Sequence, residues 1–130
     1  MIKGYKYEKH TGIADMLGKT ITNIVVHDDY EIIFECADGT AYQMYHAQNC
    51  CEDVYIEDIC GDLTALIGKP LTMAEESTNN DGEPKNKYDE SFTWTYYKLA
   101  TINGYVTIRW YGTSNGYYCE EAQVDRWRKQ

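Results

Sequence analysis

The sequence lacks any apolar run long enough to cross a bilayer, and residues 1–10 lack the apolar core of a signal peptide. Basic residues are also scarce: 12 lysines and arginines against 21 aspartates and glutamates give a formal net charge of −9. This balance argues against general binding of nucleic-acid polymers or of an anionic membrane surface. We therefore expect a cytoplasmic protein whose partners include no membrane and no DNA or RNA polymer.

Motifs of catalysis and cofactor binding are missing too. The sequence contains no P-loop, no dinucleotide-binding glycine fingerprint and no G-x-S-x-G nucleophile elbow. A nucleophilic Cys60 or Cys119 would need a histidine base nearby in space, and His10, His27 and His46 stand in no recognisable signature. The sequence favours a protein that is not an enzyme and uses no cofactor, with a hydrolase as the open alternative.

Five cysteines without a secretion signal indicate reduced thiols rather than a disulfide framework. Four residues have side chains compatible with zinc: His46, Cys50, Cys51 and Cys60. Adjacent cysteines place their side chains awkwardly for a single tetrahedral metal, however. We favour the alternative that these cysteines are small buried hydrophobic residues, and we predict no metal site.

Acidic residues are concentrated between positions 52 and 62. They are Glu52, Asp53, Glu57, Asp58 and Asp62. Their spacing matches neither the calcium-loop pattern nor another recognised metal or acid–base motif. A solvated acidic face is the favoured interpretation.

The length of 130 residues suits a single domain over residues 1–130. Short β-branched and aromatic stretches between turn signals predict strands at 19–27, 30–36, 40–46, 54–59, 71–77 and 117–124, the first three as a meander. Helical turns are predicted at 13–17 and 63–67, the second capped by Asp62, and a short helix at 124–130. Residues 1–12 are expected to be loosely held and residues 78–90 to form a long polar loop. The predicted class is α+β, mainly antiparallel sheet, with one or two short helices.

Residues 91–124 contain the strongest local signal of the chain. Asn103-Gly104 separates two alternating runs and favours a two-residue type I′ hairpin turn, in which both positions have positive φ. This turn predicts four facing pairs on one side of the ribbon: Ile102 with Tyr105, Ala100 with Thr107, Lys98 with Arg109, and Tyr96 with Tyr111. The side expected to face the core carries Tyr97, Leu99, Val106, Ile108 and Trp110.

The polar side of this hairpin is the predicted binding site. Like charges directly across a ladder are destabilising, so Lys98 opposite Arg109 suggests an anionic ligand. Arginine suits bidentate contact with phosphate, and the neighbouring rings suit stacking on a base. The predicted ligand contacts are Arg109, Lys98, Tyr96, Tyr111, Phe92, Trp94 and Asn115.

Two structural explanations of these residues remain open. Lys98 and Arg109 can instead pair with carboxylates such as Glu120 or Glu121. The aromatic face can also be an interface between subunits, where tyrosine, tryptophan and arginine are enriched. The second explanation is compatible with a ligand held between two subunits.

Two long strings carry a resemblance to a known family: residues 45–76 (YHAQNCCEDVYIEDICGDLTALIGKPLTMAEE) and 92–121 (FTWTYYKLATINGYVTIRWYGTSNGYYCEE). They look like a small domain common in phages and prophages, over residues 18–124, which resembles the phage Thoeris anti-defence sponges. The resemblance implies a non-enzymatic oligomer that sequesters cyclic ADP-ribose-type signals of bacterial immune TIR enzymes. Some members are thought to hold cyclic oligonucleotides at separate sites. It also implies an arginine in the base or phosphate contact, which Arg109 in TIRWYG matches.

The resulting hypothesis is a phage-encoded anti-defence protein of the host bacterial cytoplasm that binds a small nucleotide signal without cleaving it. One sheet face alone is open to solvent, and tight binding depends mainly on slow release, so we expect a homo-oligomer in which a second subunit closes the site. The alternative function is an acidic protein–protein inhibitor or DNA mimic, which the net charge and the acids of residues 52–62 suggest.

Overall fold

The computed structural model describes residues 2–130, and nine strands and two 3₁₀ turns form over this range. The strands are β1 (Tyr5–His10), β2 (Ile21–His27), β3 (Glu31–Cys36), β4 (Thr40–Tyr45), β5 (Asp53–Cys60), β6 (Met73–Asn79), β7 (Ser91–Thr101), β8 (Gly104–Ser114) and β9 (Gln123–Lys129). The 3₁₀ turns cover Ile13–Met16 and Leu63–Leu66. The predicted class, mainly antiparallel sheet with one or two short helices, is confirmed.

The first sheet has the strand order β1-β9-β4-β3-β2, and it contains the predicted meander of β2, β3 and β4. The strand predicted at 117–124 and the helix predicted at 124–130 are wrong, because β9 occupies Gln123–Lys129 between β1 and β4. Its pairing on both sides overrides the local tendency of the charged tail. Residues 5–10, within the segment expected to be loosely held, form an edge strand with mostly exposed side chains.

The second sheet has the order β5-β8-β7-β6 and carries the long hairpin. The predicted turn at Asn103-Gly104 is wrong: Thr101 pairs with Gly104, so Ile102 and Asn103 form the turn. Packing against the second 3₁₀ turn explains the difference. A Cβ at Gly104 would lie 2.9 Å from the Cβ of Ala65, and the Thr101 hydroxyl donates to the Ala65 carbonyl.

This register changes the pairing of the two cations. Lys98 lies across from Thr107, and Arg109 lies across from Tyr96, so the predicted opposition of Lys98 and Arg109 is wrong. Because the shift amounts to two residues, every side chain keeps its predicted face. The five residues predicted to face the core are all buried, namely Tyr97, Leu99, Val106, Ile108 and Trp110.

The hydrophobic core lies between the two sheets. Trp110, Tyr97 and Ile108 of the second sheet pack in one cluster with Phe34 and Tyr42 of the first, all at 0% exposure. Burial of large side chains from both inner faces is what holds two such sheets together. Over residues 2–130, no helix combines the length and the apolar character that a bilayer crossing requires.

Candidate functional site

The outer face of the second sheet carries an aromatic cluster centred on Tyr111. Phe92 stacks on Tyr111 with ring centroids 6.3 Å apart and planes at 19°, and Trp94 lies 4.5 Å from it at 57°. Tyr55, the cross-strand partner on β5, meets the same ring edge-on at 6.0 Å. Three neighbouring rings therefore cover Tyr111, which is 2% exposed. Phe92 and Trp94 are only partly buried and offer the accessible ring surface.

Arg109 lies beside this cluster, with its guanidinium carbon 5.4 Å from the Trp94 ring centroid. Its Nε donates to Glu57 Oε1 at 2.8 Å, and its Nη2 contacts the same oxygen. Asp58 Oδ2 lies 3.8 Å from Nη2. The hydrogen bond to Glu57 raises the pKa of Arg109 above its ordinary value. Arg109 thus forms an ion pair with Glu57, and a second carboxylate, that of Asp58, lies nearby; both belong to β5.

Hydrogen bonds fasten the loop between β6 and β7 onto this face. The backbone N–H of Lys85 donates to the Tyr111 hydroxyl at 3.1 Å, and that hydroxyl donates to Asp89 Oδ2 at 2.5 Å. Trp94 Nε1 donates to the Glu83 carbonyl at 2.9 Å. Burial, with the bond to Asp89, raises the pKa of Tyr111 to about 12, so the hydroxyl stays protonated at neutral pH.

A groove of about 520 Å³ opens between this loop and the sheet. Its lining combines lysine, carboxylate, amide, hydroxyl and ring groups: Asp53, Tyr55, Lys85, Asn86, Lys87, Asp89, Tyr111 and Thr113. Lys85 Nζ lies 3.1 Å from the Tyr55 hydroxyl and 5.0 Å from the centre of that ring. The bond to Tyr55 raises the pKa of Lys85, which keeps this amine charged beside the groove.

The structure brings most of the predicted contacts into one patch. Phe92 and Trp94 both contact Tyr111, Arg109 contacts Trp94, and Tyr96 pairs across from Arg109. Two predicted contacts lie apart from the patch. Lys98 is exposed nearer the hairpin turn, across from Glu75 on β6, and Asn115 lines an adjoining groove of about 260 Å³ that shares Asp89 and Thr113 with the first.

Sequence reasoning missed Tyr55, Lys85 and Lys87, and it assigned Glu57 to a solvated acidic face rather than to Arg109. Tyr55 alternates with the buried Val54 and Ile56, which marks it as outward-facing, but nothing local indicates that β5 pairs with β8. Glu57 sits in a β-bulge, where the register shifts between Ile56 and Asp58. Glu120, named as an alternative partner for the cations, instead accepts hydrogen bonds from Thr93 and Ser114.

The loop before β5 is organised around a buried glutamate, which the sequence predicts on a solvated acidic face. Glu52 is 3% exposed, so the solvated acidic face does not include it. Its carboxylate accepts hydrogen bonds from the N–H groups of Asn49 and Cys50 and lies 2.8 Å from His46 Nε2. Burial would raise the pKa of Glu52, but these hydrogen bonds lower it to about 2. The buried Glu52 carboxylate therefore stabilises the loop of residues 46–52 by bonding to several of its members.

The cysteines of this loop and at the end of β5 reach solvent. Cys50, Cys51 and Cys60 are exposed, so the expectation that they pack as buried hydrophobic residues is wrong. A disulfide joins Cys50 to Cys51 across a single peptide unit and cross-links no distant segments. No group of three or more His, Cys, Asp or Glu side chains within residues 2–130 is arranged to hold a metal ion.

The three histidines all pair with carboxylates. His10 lies 2.9 Å from Asp125, His27 2.7 Å from Glu31, and His46 2.8 Å from Glu52. The other ring nitrogen of His46 lies 2.9 Å from the Glu121 carbonyl oxygen, so both of its nitrogens are engaged. These contacts assign His46 a structural role.

Fold and site together define a small two-sheet β protein with an aromatic, charged groove on the outer face of one sheet. A protein-family model matches residues 14–124, and the chain belongs to that family, described as a domain of unknown function (DUF7448). No curated protein and no solved structure matches the chain.

Proposed function

We propose that the protein binds a small nucleotide signal of the cyclic ADP-ribose type and sequesters it without cleavage, as a phage anti-defence protein. The observation that carries this proposal is the arrangement of Arg109 against Trp94 beside a ring cluster and a lysine-lined groove. Rings and cations at this spacing suit a ligand with a base and phosphates. The resemblance of residues 45–76 and 92–121 to the Thoeris sponges supports the same ligand class.

A second subunit is part of the proposal. The groove is open to solvent on one side, whereas a sequestering protein needs slow release of its ligand. Two exposed tyrosines suit contact with a second copy: Tyr88, between the groove-lining Lys87 and Asp89, at 78% exposure, and Tyr117, in the turn after β8, at 87% exposure. Closure between two copies would bury both the ligand and these rings.

The test is depletion followed by recovery. The protein is mixed with cyclic ADP-ribose and its linkage isomers, the complex is separated by filtration, and the retained fraction is heated to denature the protein. We expect depletion of the free nucleotide and release of the intact nucleotide on heating. Conversion of the nucleotide would indicate an enzyme, and failure to deplete any member of the panel would refute the proposal.

Arg109→Ala provides the site-specific arm of this test. Losing a charge-assisted contact of about 1.5–3 kcal/mol predicts a 10- to 100-fold weaker affinity. Arg128→Ala is the matched control, because Arg128 also pairs with a glutamate but lies on the other sheet. Equal loss in both variants would point to net charge rather than to a site at Arg109.

A second candidate function is an acidic inhibitor or DNA mimic that occupies a basic surface. Charge segregation favours it: residues 13–122 hold 19 of the 21 acids and only six of the 12 lysines and arginines. Such a protein would retain its anti-defence activity in Arg109→Ala, and its affinity for its partner would fall steeply with salt. Activity that depends on Arg109 favours the sponge instead.

A further inference from the structure

The bulge in β5 gives Arg109 two carboxylate neighbours where a regular strand would give one. Asp58 pairs with Arg109 in the ladder, and Glu57 is the extra residue of the bulge. In a regular strand, adjacent side chains point to opposite faces, so a bulge is needed to direct both toward one partner. The guanidinium contacts Glu57 Oε1 through two nitrogens and Asp58 Oδ2 at 3.8 Å through one.

Glu57 also connects Arg109 to the loop over the groove. Its second oxygen, Oε2, lies 3.9 Å from Lys85 Nζ. One carboxylate therefore lies between two cations that come from different elements, the strand β8 and the loop between β6 and β7. A ligand diphosphate would need the same position, because it also presents several acceptor oxygens to two cations.

Displacement of Glu57 requires little free energy. The Glu57 side chain is 19% exposed and that of Arg109 is 39% exposed, and ion pairs that reach solvent contribute little net stability. A ligand with two linked phosphates offers more charge and more bonds to Arg109 and Lys85 than one carboxylate does. A single phosphate gains less, because it cannot span both cations as fully.

We propose that Glu57 is an internal counter-ion: its carboxylate occupies the position between Arg109 and Lys85 where a ligand would bind, and a diphosphate-bearing ligand displaces it. The proposal rests on the proposed function for its ligand and names the part of that ligand which the protein selects. After displacement, the Glu57 carboxylate remains near the bound anion, and its charge weakens binding. Anions of lower charge therefore bind weakly, because they do not compete effectively with the Glu57 carboxylate for Arg109 and Lys85.

Inorganic pyrophosphate and orthophosphate test this without the nucleotide. Calorimetric titration into the wild type and Glu57→Gln is expected to show pyrophosphate binding about ten-fold tighter in the variant, since a nearby like charge is removed. We expect pyrophosphate to bind more tightly than orthophosphate in both proteins. Glu75→Gln, an exposed glutamate on the opposite edge strand, is the matched control and is expected to change affinity by less than about two-fold.

A double variant separates local from general charge effects. In the Arg109→Ala background, Glu57→Gln is expected to give a much smaller gain, because only Lys85 then remains next to Glu57 to bind the pyrophosphate. Unchanged or weaker pyrophosphate binding in Glu57→Gln, with its melting temperature preserved, would overturn the proposal. A gain of the same size without Arg109, or no pyrophosphate binding by any variant, would overturn it as well.

These outcomes are distinguishable from failure of the proposed function. If pyrophosphate behaves as expected but no nucleotide is depleted, the counter-ion exists and the nucleotide ligand is wrong. If the nucleotide is sequestered through Arg109 while Glu57→Gln fails to strengthen binding, the function stands and the counter-ion role of Glu57 is wrong.

Discussion

Gly112 on β8 packs directly against the backbone of Glu120, so closely that a Cβ at position 112 would lie 1.9 Å from the Glu120 carbonyl oxygen. Glu120 cannot easily move away, because its buried carboxylate is bonded to both Thr93 and Ser114. This contact fastens the segment before β9 to the second sheet, and it requires glycine.

Gly112→Ala should therefore destabilise the protein. Overpacking against an immobile backbone is expected to lower the free energy of unfolding by about 3 kcal/mol. Urea denaturation measures the loss, with Gly82→Ala as the control, because the nearest atom there is the end of the flexible Asn79 side chain. Similar stability of Gly112→Ala and the wild type would show that the backbone at Glu120 can move away from position 112.

Two buried tyrosines should respond differently to loss of the hydroxyl. Both are 0% exposed, but the Tyr42 hydroxyl donates to Asp15 at 2.6 Å, whereas the Tyr97 hydroxyl lies near the Glu76 carboxylate without forming a hydrogen bond of normal geometry within residues 2–130. Tyr42→Phe is expected to lose about 1 kcal/mol of unfolding free energy, and Tyr97→Phe to lose nothing or gain up to about 1 kcal/mol. Chemical denaturation of both variants checks this, and a clear loss in Tyr97→Phe would mean that its hydroxyl has a partner.

Glu52 should contribute to stability at neutral pH and not in acid. Its pKa is about 2 in the folded protein against an ordinary value of 4.5, so its stabilising contribution is fully present above 4.5 and is lost as the pH falls through 2. Glu52→Gln should be less stable than the wild type at pH 7, and the difference should shrink between pH 4.5 and 2. Urea titrations across this range test the sign, with the exposed Glu90→Gln as the control. A difference that is constant with pH would contradict an ionised, hydrogen-bonded Glu52.

Tyr111→Phe should release the loop over the groove. The variant removes the acceptor of the Lys85 N–H and the donor to Asp89 but keeps the ring cluster. Loss of about 1 kcal/mol of local stability should speed amide exchange at Lys85 by about five-fold. Hydrogen exchange read by NMR measures this. Tyr96→Phe, on the same face, is the control, and equal exchange in both variants would mean that other contacts hold the loop.

Much of the fold was predictable because local signals coincide with it. Asp62 caps the second 3₁₀ turn as expected, and its carboxylate accepts the Thr64 N–H at 3.0 Å. The buried face of the hairpin follows from period-two alternation, which survives a two-residue change of register. β9 was not predictable, because residues 123–129 become a strand only through pairing with β1 and β4, both distant in sequence.

The sequence predicted which residues of β7 and β8 share the face of the candidate site. It did not predict which residues of other elements contact them. Alternation along β7 and β8 places Phe92, Trp94, Tyr111 and Arg109 on one face. The partner of Arg109 depends on the pairing of β5 with β8 and on the bulge at Glu57, which are long-range features without a local signature. The position of Lys85 over Tyr55 depends on the path of a loop, and loop paths are set by tertiary contacts rather than by composition.

The place of β9 between β1 and β4 has a consequence for how the protein folds. Tyr5 pairs with Lys129 and Tyr42 with Arg126, so this sheet is completed only after segments separated by most of the chain have met. Such high contact order predicts slow folding, during which the edge of β4 stays open to other chains. The meander of β2–β4 is thus both the earliest local structure available and the most exposed to mispairing until β9 covers it.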